Sequence, residues 1–346
     1  MKKLILVGSN SIHTFSYYEL IKDDFDDIIL ITEKGSPPIA KKQEYLDFFL
    51  RHPVRALKTI FTIRKIIETF SPSVIHILQA NSYSLLTLLA TKGKPFPTVV
   101  TALGSEILFM PYKGYFYKKM VKYILHHASS FTSDSVYMAD KMKLLANDPS
   151  LDILIANFGI NLTENFSSKE NLIYSNRLHK KIYRIDKIIE AFDVFIKKRN
   201  LTDWKLVISG VGEETPDLRK KVEELGVSPY VEFKGWVDKE KNSEYYSKAK
   251  LFISIPVTDA TSISLLEAMA SGCIPVVSDL PANREWITNN VNGLIVNDVD
   301  TDFIGIASEM NLEDIRKINE GIIKKNGTKE SNREKFISLY NRLLKT

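Results

Sequence analysis

Residues Leu251–Ser278 read LFISIPVTDATSISLLEAMASGCIPVVS. LFISIPV is an apolar run of strand length, SLLEAMA has helical spacing, Gly272 follows as a stop, and IPVVS is a second buried strand. Strand, helix and strand in that order predict a βαβ unit. The connecting loop, 258–262, sets Asp259 and several hydroxyl residues just ahead of the helix, where N–H groups lack intrahelical partners and the dipole is positive. Such a terminus suits a phosphate.

The alternation continues outward. Strands are expected at 3–7, 28–32, 73–78, 98–103, 129–133 and 152–156, with helical spans between them, and this pattern predicts a doubly wound parallel sheet. After the polar, Gly-interrupted stretch NFGINLTENFSSKEN a second series begins with NLIYS, WKLVIS and YVEFKG, passes through the opening unit and ends in the strand GLIV and two helices. At 346 residues and 44% hydrophobic content the chain is long enough for two α/β cores. The expected division is 1–163, 164–329 and a final amphipathic helix at 330–346.

Composition narrows the classes further. The single cysteine, Cys273, excludes an intramolecular disulfide and suits a reducing compartment. MKKLILV is too short before Gly8 for a secretion signal, and no stretch reaches the roughly 18 apolar residues of a membrane helix. A cytosolic protein is expected, and a net charge of +5 does not by itself argue for nucleic acid. The six histidines show no metal-ligand spacing, so no metal site is expected. The first turn, after Val7, has one glycine and not the dinucleotide G-x-G-x-x-G pattern, which ranks an NAD-dependent dehydrogenase last. Two segments, 51–65 and 112–127, carry cations and aromatics without acids. Two readings of them stand: solvated helix faces, or a surface for an anionic membrane at the inner face of the cell.

Asp259 and Glu267 lie eight positions apart with LLEAMASG around the second, which resembles the E-x7-E signature of retaining glycosyltransferases of family 4. PVVSDLPANREWITNNVNGLIV downstream, and VEFKGWV, SGVGE, SNRL with IDKIIEAF, NFGIN and LGSE upstream, follow that family's order. The resemblance implies the GT-B fold, two Rossmann-like doubly wound parallel-sheet domains facing an interdomain cleft. It also implies an acceptor-side first domain, a nucleotide-sugar second domain and a last helix that crosses back to the first.

The resemblance implies roles too. Glu267 would hold the donor ribose, although Ser264-Leu-Leu-Glu267 also fits a helix capping box. Asp259, where the family has Glu, would meet the donor sugar's hydroxyls, with an ordinary loop turn as its other reading. Arg177 would grip the diphosphate bidentately, helped by the amides of Thr261, Ser262, Ile263 and Ser264. Lys181, Lys180 or Arg184 would stand in for the family's phosphate lysine. Gly210 and Gly212 would form a nucleotide-binding turn, and Trp236 would flank the base or be buried. Gly8 matches the first-domain turn, and Gly104-Ser105-Glu106 matches the family's G-S-D, with Leu103 where a histidine often stands.

The function so implied is metal-free transfer, without cofactor, of a hexosyl or N-acetylhexosaminyl group. The donor is a nucleoside-diphosphate sugar, UDP ahead of GDP, and the acceptor a hydroxyl of a glycan or lipid-linked acceptor in surface polysaccharide assembly. The rivals are a GT-B-like sugar-nucleotide epimerase and a non-catalytic sugar-nucleotide-binding protein.

Overall fold

Short apolar runs between helical spans become parallel strands. The computed structural model describes residues 2–162 and 168–345. One unit comprises Met1–Phe158 and Lys329–Thr346, the other Gly159–Thr328. The expected boundary at 163/164 lies outside the described residues.

The first unit contains β1 (Lys3–Val7), β2 (Asp27–Glu33), β3 (Gln43–Leu46), β4 (Val74–Leu78), β5 (Thr98–Thr101), β6 (Ser130–Ser133) and β7 (Ile153–Ile155). Their spatial order is β3-β2-β1-β4-β5-β6-β7 and every pairing is parallel. A sheet covered by helices on both faces needs near-continuous apolar strands. In β1, Ile5 and Val7 join one core with Ile63 and Ile67 of the helix Pro53–Phe70. Leu4 and Leu6 join the opposite core with Tyr17, Ile21, Phe336 and Tyr340. These four side chains are fully buried, each worth roughly 1.5–3 kcal/mol. β3 has no counterpart among the expected strands. It is a polar edge strand, QEYL, without the apolar run that marks its neighbours.

The second unit contains β8 (Glu170–Ser175), β9 (Lys205–Ser209), β10 (Val231–Gly235), β11 (Ala249–Ser254), β12 (Ile274–Ser278) and β13 (Leu294–Val296), in the order β10-β9-β8-β11-β12-β13, again all parallel. β11 is shorter at its C-terminal end than LFISIPV implies: Ile255 to Val257 leave the sheet, where Pro256 has no N–H to give a ladder. Among the described residues three α-helices, with a π-helical turn at Ile323–Gly327 between the last two, follow β13 where two helices are expected, because Phe303–Ser308 is too short to show a period.

The last helix, Lys329–Leu343, belongs to the first unit. Phe336 packs edge-on against Tyr17 at 4.9 Å between centroids. The Tyr340 hydroxyl lies 2.5 Å from His76 Nδ1 and also meets the Tyr17 hydroxyl, while His76 Nε2 lies 2.6 Å from Thr101 Oγ1. Arg333 donates to both oxygens of Asp24, at 2.7 and 2.6 Å.

Candidate active site

Each sheet reverses its strand order once, and in open α/β sheets ligands sit beyond the carboxyl ends of the strands at that reversal. In the second unit it falls between β8 and β11. The loop leaving β8 begins Asn176-Arg177; the loop leaving β11 runs to Ser262, the N-cap of the helix Ile263–Ala270. The two loops meet through a backbone hydrogen bond, Val257 N donating to Ile182 O at 2.8 Å, and through the side chain of Arg177. Arg177 donates from Nη2 to Asp259 Oδ2 and from Nη1 to Ser262 Oγ, both at 2.6 Å, and its guanidinium lies 4.5 Å from the Tyr183 ring centroid. Ser262 thereby spends its hydroxyl on the arginine, and its side chain makes no cap bond to the helix. The amides of Ile263 and Ser264 stand in the first turn, where helix N–H groups have no intrahelical acceptor. Burial lifts the Asp259 carboxyl above its ordinary range, and the Arg177 charge opposes the rise.

Glu267 lies one turn into the same helix, so the capping-box reading fails: the N-cap is Ser262, not Ser264. Its carboxyl accepts from Asn242 Nδ2 at 3.4 Å. Around it Asn176 Nδ2 donates to Asn242 Oδ1 at 3.0 Å and to the Tyr246 hydroxyl at 2.8 Å, and Tyr174 donates to Asn242 Oδ1 at 2.5 Å. Burial raises the Glu267 pKa, against a Tyr246 hydrogen bond and the charge of Lys239. The supporting residues Asn242, Tyr246 and Tyr174 are absent from the expected site. Asn242 and Tyr246 lie on the helix Lys239–Lys248, whose polar sequence reads equally well as a solvated surface, and Tyr174 lies in β8, where it reads as one more strand residue.

The loop after β9 closes against the Arg177 loop. A Cβ on Gly210, whose φ is +107°, would stand 2.4 Å from Arg177 O, and one on Gly212 would stand 2.3 Å from His179 O. Both glycines are therefore required by backbone packing. His179 N donates to Val211 O at 3.2 Å, and burial keeps the His179 imidazole below its usual pKa. Trp236 is 77% exposed beside Gly235, which overturns its buried reading. Lys181 and Arg184 line a surface depression of about 440 Å³ with Asp186, Lys187 and Glu214. No described contact joins Lys181 to Arg177, Asp259 or Ser262, whereas Arg177 touches both of the other two.

In the first unit, Gly8 follows β1, and a Cβ there would stand 2.5 Å from Thr14 Oγ1. Glu106 is buried, its Oε1 accepting from Leu103 N at 2.6 Å. Burial raises its pKa, opposed by hydrogen bonds from backbone amides. The carboxylate thus holds the turn at Gly104, whose φ is +134°.

Residues 3–135 match the family described as glycosyl transferase 4-like, and residues 158–326 match glycosyl transferases group 1. The chain belongs to the group 1 glycosyltransferases. Arg177, Asp259 and Glu267 all fall within the group 1 match. The chain is 29% identical over 96 residues to a GDP-mannose:cellobiosyl-diphosphopolyprenol alpha-mannosyltransferase of Xanthomonas campestris, covering 27% of this chain and 25% of that protein. It is 32% identical over 130 residues to an uncharacterized glycosyltransferase of Methanocaldococcus jannaschii, covering 38% and 33%. The matched segments thus span a quarter to a third of these curated relatives. Among solved structures, Anabaena HepE in complex with UDP and glucose superposes with a TM-score of 0.79 at 11% identity, covering 99% of this group 1 chain and 100% of the other. That likeness is one of fold. The two parallel-sheet α/β units are those of the GT-B architecture.

Proposed function

We propose that this chain is a retaining, metal-independent glycosyltransferase that moves a sugar from a nucleoside-diphosphate sugar to a hydroxyl of a glycan or lipid-linked acceptor in surface polysaccharide assembly. The observation that carries the reading is the junction of Arg177, Asp259 and Ser262 at the reversal of the second sheet, with Glu267 one turn along the same helix. Departure of the nucleotide builds negative charge on its phosphate oxygens. Arg177 and the amides of the helix's first turn are the groups that meet that charge. Glu267, held by Asn242, accepts from ribose hydroxyls, and Asp259 faces the sugar. UDP is the favoured carrier, supported by the UDP in the HepE structure, while the name of the Xanthomonas relative keeps GDP in play. The same name supports a lipid-linked acceptor.

A second observation supports work at an anionic membrane surface. Phe109, Tyr112, Tyr115 and Phe116 of the first unit are 52, 65, 73 and 59% exposed, with Lys113 and Lys119 over the rings of Phe109 and Tyr115 at 4.3 and 4.7 Å. No helix among the described residues is long and apolar enough to cross a membrane. Each such lysine near an anionic surface contributes about 1 kcal/mol. Binding to anionic but not neutral liposomes is expected. It should be lost in high salt and on replacing Lys113, Lys118, Lys119 and Lys122 by serine; indifference to anionic vesicles at low salt removes the membrane from the account.

The activity is tested by incubating the protein with a panel of nucleotide sugars, with and without EDTA, and following nucleotide release. Release that survives EDTA supports the reading. Conversion of the donor to an epimer without acceptor makes the chain an epimerase, and loss of activity restored by manganese or magnesium overturns metal independence.

A further inference from the structure

Arg177 is already engaged by an anion that the protein supplies. Its guanidinium gives one nitrogen to Asp259 and the other to Ser262, at 2.6 Å each, and lies against Tyr183. The pair is well shielded, with side chains 12% and 21% exposed, so water screens the Asp259 charge less than it would at the surface. A diphosphate brought to the same guanidinium arrives beside this carboxylate. The two anions then compete for one cation and repel each other.

We propose that Asp259 is an electrostatic gate on nucleotide binding: it holds Arg177 in place, opposes the diphosphate for that guanidinium, and reclaims it when the nucleotide departs. This inference rests on the reading of the β8/β11 reversal as a nucleoside-diphosphate site and adds to it the sign of Asp259's effect. Two of the three restraints on Arg177, the Ser262 hydroxyl and the Tyr183 ring, do not depend on the Asp259 charge. An uncharged isostere at 259 therefore leaves the guanidinium oriented while lifting the repulsion. The gate weakens binding of the bare nucleotide and speeds its release, while the same carboxylate remains available to the sugar.

Purified wild type, Asp259→Asn and Asp259→Glu are titrated with UDP and with GDP by calorimetry, after thermal melting establishes that each is folded. Whichever nucleotide the wild type binds, Asp259→Asn is expected to bind about tenfold tighter or more, with slower dissociation. Asp259→Glu, which keeps the charge, is expected to stay near the wild-type value. Equal or weaker binding by Asp259→Asn, in a protein whose wild type binds, overturns the gate and leaves the nucleotide site standing. Tightening by both variants also overturns it, since charge would not be the cause. If neither nucleotide binds the wild type or any variant, the site reading falls and the gate falls with it. An Arg177→Met variant separates the last possibility: unchanged nucleotide affinity there shows binding away from this guanidinium and overturns both.

Discussion

A carboxylate at position 267 costs the folded chain stability. Burial raises its pKa above the unfolded value, so the folded state binds the proton more tightly than the unfolded one. Stability from this group is then greatest below about pH 4.3, the ordinary glutamate value, and declines as pH rises through the raised folded pKa. Glu267→Gln removes that ionisation. At neutral pH it is expected to melt no lower than wild type, while nucleotide affinity falls by about 2 kcal/mol, the scale of a hydrogen bond to a charged group. A thermal melt with and without nucleotide checks both halves; a destabilised variant with full affinity would return Glu267 to a structural role. The residue pair itself was legible, because Asp259 and Glu267 carry a recognisable spacing and type. Its support was not: Asn242 and Tyr246 come from a helix preceding β11, and only folding brings them against Glu267.

Among elements, the loops after β8, β9 and β11 act together. Gly210 is where this is most exposed to test, since its φ of +107° and the 2.4 Å approach of an added Cβ to Arg177 O both exclude a side chain. Gly210→Ala is expected to cost about 1–3 kcal/mol from backbone strain alone, and more as the Arg177 loop shifts. Chemical denaturation measures the cost. Nucleotide titration of the surviving folded fraction should show the Arg177 contact weakened, and a variant of wild-type stability would contradict the packing described. Sequence reading found the glycines but gave them to the ligand, whereas their immediate cause is the backbone of residues 177–179. The same reading found the central strands, whose side chains are buried on both faces, and missed β3. An edge strand half open to water has no need of the apolar run that reveals the others.

At the scale of the whole molecule, the last helix is part of the first unit's core, and its anchor is polar. His76 is fully buried between Tyr17, Tyr340 and Thr101, and burial lowers its pKa to about 3. The unfolded chain protonates this imidazole near pH 6.5, so its contribution is intact above that value and is lost as pH falls from about 6.5 toward 3. Replacing His76 by Asn should flatten that part of the stability profile. Tyr340→Phe leaves a buried partner short of a hydrogen bond, at a cost of about 1–3 kcal/mol in a denaturant titration. The two-unit organisation was legible because strand and helix periods alternate twice along the chain. The membership of 329–343 in the first unit was available only through family resemblance, since nothing local in an amphipathic helix says which core it covers. Whether the β8/β11 reversal holds a nucleoside diphosphate is decided by a crystal structure of the complex with UDP or GDP. The diphosphate is expected on Arg177 and the amides of Ile263 and Ser264, with the ribose at Glu267; a nucleotide bound at the Gly8 turn, or away from Arg177 and Glu267, would overturn that assignment.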